Sequence, residues 1–509
     1  MKKTFFHNKQ GANSREYLDI LSSESKLGQK GTPFYLTTTL PYVNAPLHMG
    51  HALEYVRADS IVRYKKLLGY DVYFNTGTDE HGMKIFEKAK EEGITAQEFV
   101  DKSFETFKEQ IKIFGLVDDI HFVRTTDKNH EKAAQEFWKR VSDNGYIYKK
   151  NYEAKYCVGC ESEKTDGELV EGKCPEHPGV ELKIINEENY FFKYSAFGDK
   201  LLKLYEENPN FVVPDFRLNE IKNFVNGGLQ DFSISRLKEK MPWGIPVPED
   251  ENQVMYVWFD ALVNYISTLG WPDNLENFEK YWVNGNPTQY CGKDNIRFQS
   301  AMWQAMLMAA DLSNSHQIII NGFITGEGGI RMSKSLGNGY DPRDVVKEYS
   351  IDALRFFMLK EVGSFEDSPF TIERFKDAYN SGLANGLGNL TSRVMTMAVN
   401  YEVKLKEEDL EKNYYLNPIE DLENFDINKF INKIWSELRG MDEYIQKNEP
   451  FKKIKVNKEE AERDVYYLLQ NLYKNALALE PLLPETSSKI QELIRENKKP
   501  ETPLFLRKE

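Results

Sequence analysis

The chain has 509 residues, too many for one hydrophobic core, since single cores stop growing at roughly 250–300 residues, so several domains are expected. Hydrophobic residues make up 40% and charged residues 29%, which excludes general disorder. The net charge of −14 excludes a generic nucleic-acid coat and confines any RNA contact to local basic patches. The longest apolar stretches, such as Ala305 to Ala310, fall short of the roughly 20 residues a membrane span needs.

Residues 1–31 hold Lys2, Lys3, Lys9 and Arg15 with little acid in the first half and read as an N-terminal extension outside the fold, with organellar targeting as the alternative to a cytoplasmic protein. Residues 33–40 read as a strand, broken at Pro41 and the Asn-Ala-Pro turn. From His51 to Leu68 apolar residues recur at helical spacing, and Gly69 is suited to end the helix. Asp71 to Asn75 is a second strand. Strand, turn, helix, strand is a βαβ unit of a parallel sheet, whose ligands bind beyond the carboxyl ends of the strands.

That unit places Pro46-Leu47-His48-Met49-Gly50-His51 at a strand-to-helix turn, where free backbone N–H groups favour phosphate. A histidine pair at this spacing also occurs on ordinary surfaces. Gly77-Thr78-Asp79-Glu80-His81-Gly82 follows the next strand, at the same sheet edge. Its acidic pair suits an ammonium group, and the plain alternative is a polar turn with a helix cap.

Cys157-Val158-Gly159-Cys160 and Cys174-Pro175-Glu176-His177 form two ligand pairs at zinc-knuckle spacing, and closed Cys₃His coordination is structural. Four cysteines in so long a chain are no disulfide scaffold, which fits a reducing compartment. Cys291 has no partner pattern and reads as a buried thiol. Between about 150 and 250 the short polar and β-like segments look like an insertion, after which Val254 to Phe259 and Gln317 to Ile320 resume the α/β pattern. Gly326 to Asn338 is a glycine-rich stretch leading into Arg331-Met332-Ser333-Lys334-Ser335, where a mobile lysine can neutralise charge that appears only in a transition state. From about 340 onward the chain reads as helical, with a charged linker around 402–425.

The two motifs, His48 to His51 and Arg331 to Ser335, resemble the HIGH and KMSKS signatures of class I aminoacyl-tRNA synthetases. Leu40 to Pro46, Gly77 to Gly82, Val257 to Tyr265 and Gly292-Lys293-Asp294 look like the methionyl family in particular, in that family's order and over nearly everything after residue 32. The resemblance implies an α/β fold: a split Rossmann-type parallel-sheet catalytic domain, an inserted zinc-binding connective domain and an all-α C-terminal anticodon-binding domain. The expected boundaries are 32–149 and 253–340 for the catalytic halves, 150–252 for the insertion, 341–380 for a stem and 381–509 for the anticodon domain.

It further implies a methionine-tRNA ligase that joins L-methionine to tRNA(Met) through methionyl-adenylate, with ATP, Mg²⁺ and one structural Zn²⁺ held by Cys157, Cys160, Cys174 and His177. His48, His51 and Lys334 would be catalytic, and Gly50, Gly292, Asp294, Arg331, Met332, Ser333 and Ser335 would complete the ATP site. Asp79 would hold the methionine ammonium. Leu40, Tyr42, Trp258, Ala261, Leu262, Tyr265, Phe298 and Gln299 would enclose the thioether, which gains from aromatic walls. Asn389 and Arg393, four apart on one helix face, would read the anticodon with Phe451, although any such pair also suits a solvated face. Gln299 stands where many relatives carry His, Phe451 where Trp is usual, and Arg331 where Lys is usual. An insertion of only about 100 residues leaves no room for the second hydrolytic site that branched-aliphatic synthetases need. The absence of an appended dimerising domain predicts a monomer.

Overall fold

The computed structural model describes residues 30–160, 162–164, 166–330, 332, 339–411 and 419–509. Strands β1 (Pro33–Thr38), β2 (Asp71–Thr78) and β3 (His121–Arg124) come from the first third of the chain. Strands β4 (Ile147–Cys157), β5 (Ser162–Lys164), β6 (Lys183–Phe192), β7 (Val212–Val213), β8 (Phe232–Ser233), β9 (Ser235–Leu237), β10 (Pro246–Val247), β11 (Asp250–Met255), β12 (Thr288–Gly292) and β13 (Gln317–Asn321) follow. The main sheet has the order β3-β2-β1-β12-β13-β7, and every pair in it is parallel. The chain winds outward from β1 in one direction and later returns to its other side. The order therefore reverses between β1 and β12, and the crevice at their carboxyl ends is where such sheets bind ligands.

Both faces of the sheet are covered, as parallel sheets require. In β1, Phe34 and Leu36 face one core, which continues into the C-terminal helices. Tyr35, between them, faces the second core, with Phe137, Trp271 and Trp303. The insertion contains an antiparallel sheet, β5-β4-β6-β8, with β10-β11-β9 beside it. The stretch 150–252 is not wholly apart from the main sheet, because Val212–Val213 pairs with β13 as its sixth strand. The run Val254 to Phe259 also divides. It is strand through Met255 and helix over Val257–Ala261, and β11 pairs antiparallel with β9 and β10 instead of joining the parallel sheet. Short apolar runs suit either a buried strand or a buried helix, and here an extended Tyr256 is the N-cap that switches one to the other.

After residue 340 the described chain is almost wholly helical, and Asn389–Asn400, Ile427–Asn448, Lys458–Leu479 and Pro484–Glu496 pack as a bundle. Two buried arginines bind this part to helix Met49–Leu67. Arg57 donates to Asn321 Oδ1 at 2.9 Å and to the carbonyls of Val362, Gly363 and Ser364. Arg355 pairs with Asp59 at 2.7 Å, both side chains being fully buried, and donates to the Leu482 and Pro481 carbonyls. Among the described residues no helix is long and apolar enough to cross a membrane.

Candidate active site

Helix Met49–Leu67 starts at the reversal point, and its first turn is closed by the histidines themselves. The His48 N–H donates to His51 Nδ1 at 3.2 Å, and the Gly50 N–H donates to His48 Nδ1 at 3.1 Å. This is a capping box with imidazoles in place of the usual hydroxyl and carboxylate. The rings stack with centroids 3.9 Å apart. A side chain at residue 50 would place its Cβ 2.9 Å from His48 Cε1, so a larger residue there would displace the folded-back ring. Burial, and then the neighbouring His48 ring, push the pKa of His51 well below 6.5, so this imidazole is neutral at physiological pH. With Nδ1 accepting in each ring, a neutral imidazole carries its proton on Nε2. The pair is thus arranged as two N–H donors at a helix N-terminus, suited to polyanionic phosphate.

Across the crevice, β12 ends at Gly292, with Asp294 in the turn that follows. Glu54, one turn along the histidine helix, ties the two sides together, and nothing in its spacing in the sequence marks it. Its carboxyl accepts from the Thr39 N–H at 2.7 Å and the Thr39 hydroxyl at 2.6 Å, and the Gly292 backbone also hydrogen-bonds it. Burial raises the pKa of Glu54 to about 8, against the pull of these bonds and with a contribution from Asp294. Of these two neighbouring carboxyls, Glu54 is thus largely protonated at neutral pH.

A pH dependence follows. Between the ordinary value of 4.5 and about 8 the unfolded chain ionises at Glu54 while the folded protein keeps the proton, so stability falls as pH rises through this window. Glu54→Gln, neutral throughout, should show a melting temperature that gains on the parent protein between pH 5 and pH 8.5. A constant difference across that range would contradict the assignment.

On the other side of β1, the Asp79 N–H donates to the Pro41 carbonyl at 3.0 Å, and Tyr42 and Asp79 form a parallel bridge that extends the β1–β2 pairing into the loops. Of the residues expected around the thioether, Trp258 and Phe298 stack with centroids 3.8 Å apart and planes 8° from parallel, while Ala261, Leu262 and Tyr265 are buried. Gln299 is also buried. Its Nε2 donates to the Tyr265 hydroxyl at 2.5 Å and its Oε1 accepts from Gln289 at 2.7 Å. With its hydroxyl oxygen already accepting, Tyr265 keeps its own proton to donate. Leu40 and Tyr42 are half-buried in the loop before the histidines.

The four expected metal ligands also meet. The donor atoms of Cys157, Cys160, Cys174 and His177 all lie within 4.8 Å of one another. Cys160 Sγ is 3.4 Å from Cys174 Sγ and 3.2 Å from His177 Nδ1, and Cys157 Sγ is 3.9 Å from His177 Nδ1. Tetrahedral zinc, with Zn–S near 2.3 Å and Zn–N near 2.0 Å, needs edges of about 3.5–3.8 Å, so the set fits that ion. A Cβ at Gly159 would lie 2.5 Å from His177 Cγ, so glycine in the Cys-x-x-Cys turn makes room for the histidine.

Met332 packs on the larger core and Ile330 is exposed. Arg331, Ser333, Lys334 and Ser335 lie outside the described residues. In the helical bundle Asn389 is exposed, Arg393 donates to Asp442 Oδ1 at 2.6 Å, and Phe451 stands 45% exposed on the short helix Pro450–Lys453. These three are far from the histidines in sequence and belong to the opposite part of the chain.

A family model described as tRNA synthetases class I (M) matches residues 34–183 and 179–395. A methionine-tRNA ligase of Caldanaerobacter subterraneus subsp. tengcongensis is 40% identical over 478 residues, covering 90% of this chain and 73% of that protein. The chloroplastic/mitochondrial methionine-tRNA ligase of Arabidopsis thaliana is 37% identical, covering 96% and 82%. Among solved structures, Mycobacterium tuberculosis methionyl-tRNA synthetase in complex with methionyl-adenylate superposes with a TM-score of 0.84 at 34% identity, covering 91% of this chain and 94% of that one.

Proposed function

This chain belongs to the methionyl class I tRNA synthetases, and from that premise we propose how its residues divide the work of a methionine-tRNA ligase. The enzyme activates L-methionine with ATP: a methionine carboxylate oxygen attacks the α-phosphorus, pyrophosphate leaves, and methionyl-adenylate remains for transfer to a terminal ribose hydroxyl of tRNA(Met), releasing AMP. No covalent enzyme intermediate is required, so positioning and charge stabilisation dominate.

His48 and His51 donate from Nε2 to the phosphates, and the observation that carries this role is the reciprocal Nδ1 cap that fixes both tautomers. Lys334 neutralises the departing pyrophosphate from its loop with Arg331, Met332, Ser333 and Ser335. Gly292 and Asp294 receive the nucleotide at the end of β12, and Mg²⁺ bound with ATP supplies further neutralisation. Asp79 takes the methionine ammonium. The Trp258–Phe298 stack, Leu40, Tyr42, Ala261, Leu262, Tyr265 and Gln299 enclose the thioether. Tyr265, accepting from Gln299, directs its hydroxyl proton to sulfur, a weak acceptor. Zn²⁺ on Cys157, Cys160, Cys174 and His177 shapes the insertion, and Asn389, Arg393 and Phe451 read the anticodon, whose splayed bases can be hydrogen-bonded and stacked. Three of the four cysteines stand together with His177 in one cluster, and thiols used as metal ligands suit a reducing compartment such as the cytoplasm.

The test is ATP–pyrophosphate exchange with each amino acid in turn. Exchange should depend on methionine and be at least about a hundredfold less efficient with leucine, whose branched side chain has to fit a pocket built for an unbranched thioether. Equal exchange with leucine or cysteine would overturn the assignment.

A further inference from the structure

The methionine site described above draws on two segments that are far apart in sequence: the loop after β2, with Asp79, and the run 257–267, with Trp258, Ala261 and Tyr265. Asp260 lies between them, its side chain fully buried. Its Oδ2 is 3.1 Å from His81 Nδ1, two residues beyond Asp79. Its Oδ1 faces His130 Nε2 at 3.7 Å. His130, on helix Lys128–Asp143, in turn holds the Ser267 hydroxyl at 2.9 Å, while its neighbour Asn129 donates to the Ser267 carbonyl at 2.7 Å. The far side of His81 packs on Trp243, whose indole N–H donates to the Glu80 carbonyl at 2.6 Å.

A carboxylate buried among aromatic and aliphatic residues is an expensive way to fill space, and an apolar residue of similar volume is commonly as stabilising or more so. What the charge provides is directional. It bonds outward to the loop that carries Asp79 and faces the helix that anchors Ser267, from one turn of the segment bearing the aromatic wall. We propose that Asp260 is a positioning residue for methionine, which with His81 and His130 fixes the distance between the ammonium-binding Asp79 and the side-chain wall at Trp258. Both histidines are buried and act on methionine through Asp260. Their effect is on the geometry of the amino-acid half of the site, and the nucleotide half, built from the histidine helix and β12, does not depend on them. The inference rests on the assignment of Asp79 and Trp258 to methionine.

The experiment is pyrophosphate exchange by the full-length enzyme, with methionine and ATP varied separately. Asp260→Ala and His81→Ala should each raise KM for methionine about tenfold, as expected when a buried charged hydrogen bond loses one partner, with KM for ATP within about twofold. The double variant should be no worse than the poorer single one, because the two residues act through one bond. His81→Gln, which keeps a donor toward Asp260, should recover most of the affinity. The proposal is overturned if folded Asp260→Ala keeps its methionine KM, if both KM values rise together, or if His81→Gln is as impaired as His81→Ala. Should Asp260→Ala fail to fold, the His81 pair decides alone. Asp79→Ala separates the two claims: an unchanged methionine KM there sinks the site assignment, whereas a raised one beside a normal Asp260→Ala sinks only the positioning role.

Discussion

Replacing His51 with alanine should lower kcat for methionine-dependent pyrophosphate exchange by about 10²–10³-fold, the loss typical of removing one preorganised donor aimed at developing charge. KM for methionine should stay within about twofold, since the donor acts on phosphate. His51 also caps its own helix by accepting the His48 N–H, so alanine alone would confound two effects. His51→Gln resolves them, because a glutamine at this position restores the reciprocal cap without returning the Nε2–H to the same point. Single-turnover exchange should remain at least about a hundredfold slow in the glutamine variant, and recovery to parental rates would show that His51 serves only the helix end. The sign of the pH effect is also fixed. With its folded pKa well below 6.5, His51 leaves a proton to be taken up by the unfolded chain alone as pH falls through 6.5, so stability drops on the acid side and the glutamine variant should be spared part of that drop.

Loss of the metal should have the second large effect. Structural zinc contributes an apparent binding free energy of about 10–16 kcal/mol at neutral pH, most of it folding energy of the surrounding chain. Cys157→Ser should therefore purify with little zinc by elemental analysis and with the segment from Cys157 to His177 open to protease. Strands β4 and β6 are paired from Ile147 opposite Phe192 to Tyr156 opposite Lys183, and the main sheet is built from other strands. Pyrophosphate exchange should accordingly survive better than transfer to tRNA. A Cys157→Ser protein with full metal content and parental protease resistance would show that these four residues are not the ligand set.

Much of this architecture is legible from letters alone because the informative features are local. Strand β1, the histidine turn, helix Met49–Leu67 and β2 are neighbours in sequence, and periodicity with turn chemistry places them correctly. The cysteine and histidine spacing likewise brings out the Cys₃His cluster. What escapes is what depends on partners far along the chain. Glu54 reads as one more polar residue in a helix, and only the approach of Thr39 and Gly292 makes it a bridge across the crevice. Asp260 sits in a run of apolar letters where an exposed position is the natural expectation, and its burial depends on His81 and His130 arriving from other elements. Val212–Val213 is too short to announce a strand. The stretch after Met255 turns helical because tertiary packing decides what propensity leaves open.

Arg57 and Arg355 also bear on how far this enzyme can be taken apart. Their guanidinium groups are fully buried, and the carbonyls of residues 362–364 and 481–482 satisfy much of their hydrogen-bonding capacity. A catalytic fragment cut before the bundle would keep the Arg355–Asp59 pair but leave Arg355 without its carbonyl acceptors beside the helix that bears both histidines, and leaving a buried donor unsatisfied costs about 1–3 kcal/mol. The catalytic and helical parts therefore do not behave as interchangeable modules. A chimera that grafts a foreign anticodon domain onto this sheet must bring acceptors for Arg355 with it, or else exchange Arg355 and Asp59 together.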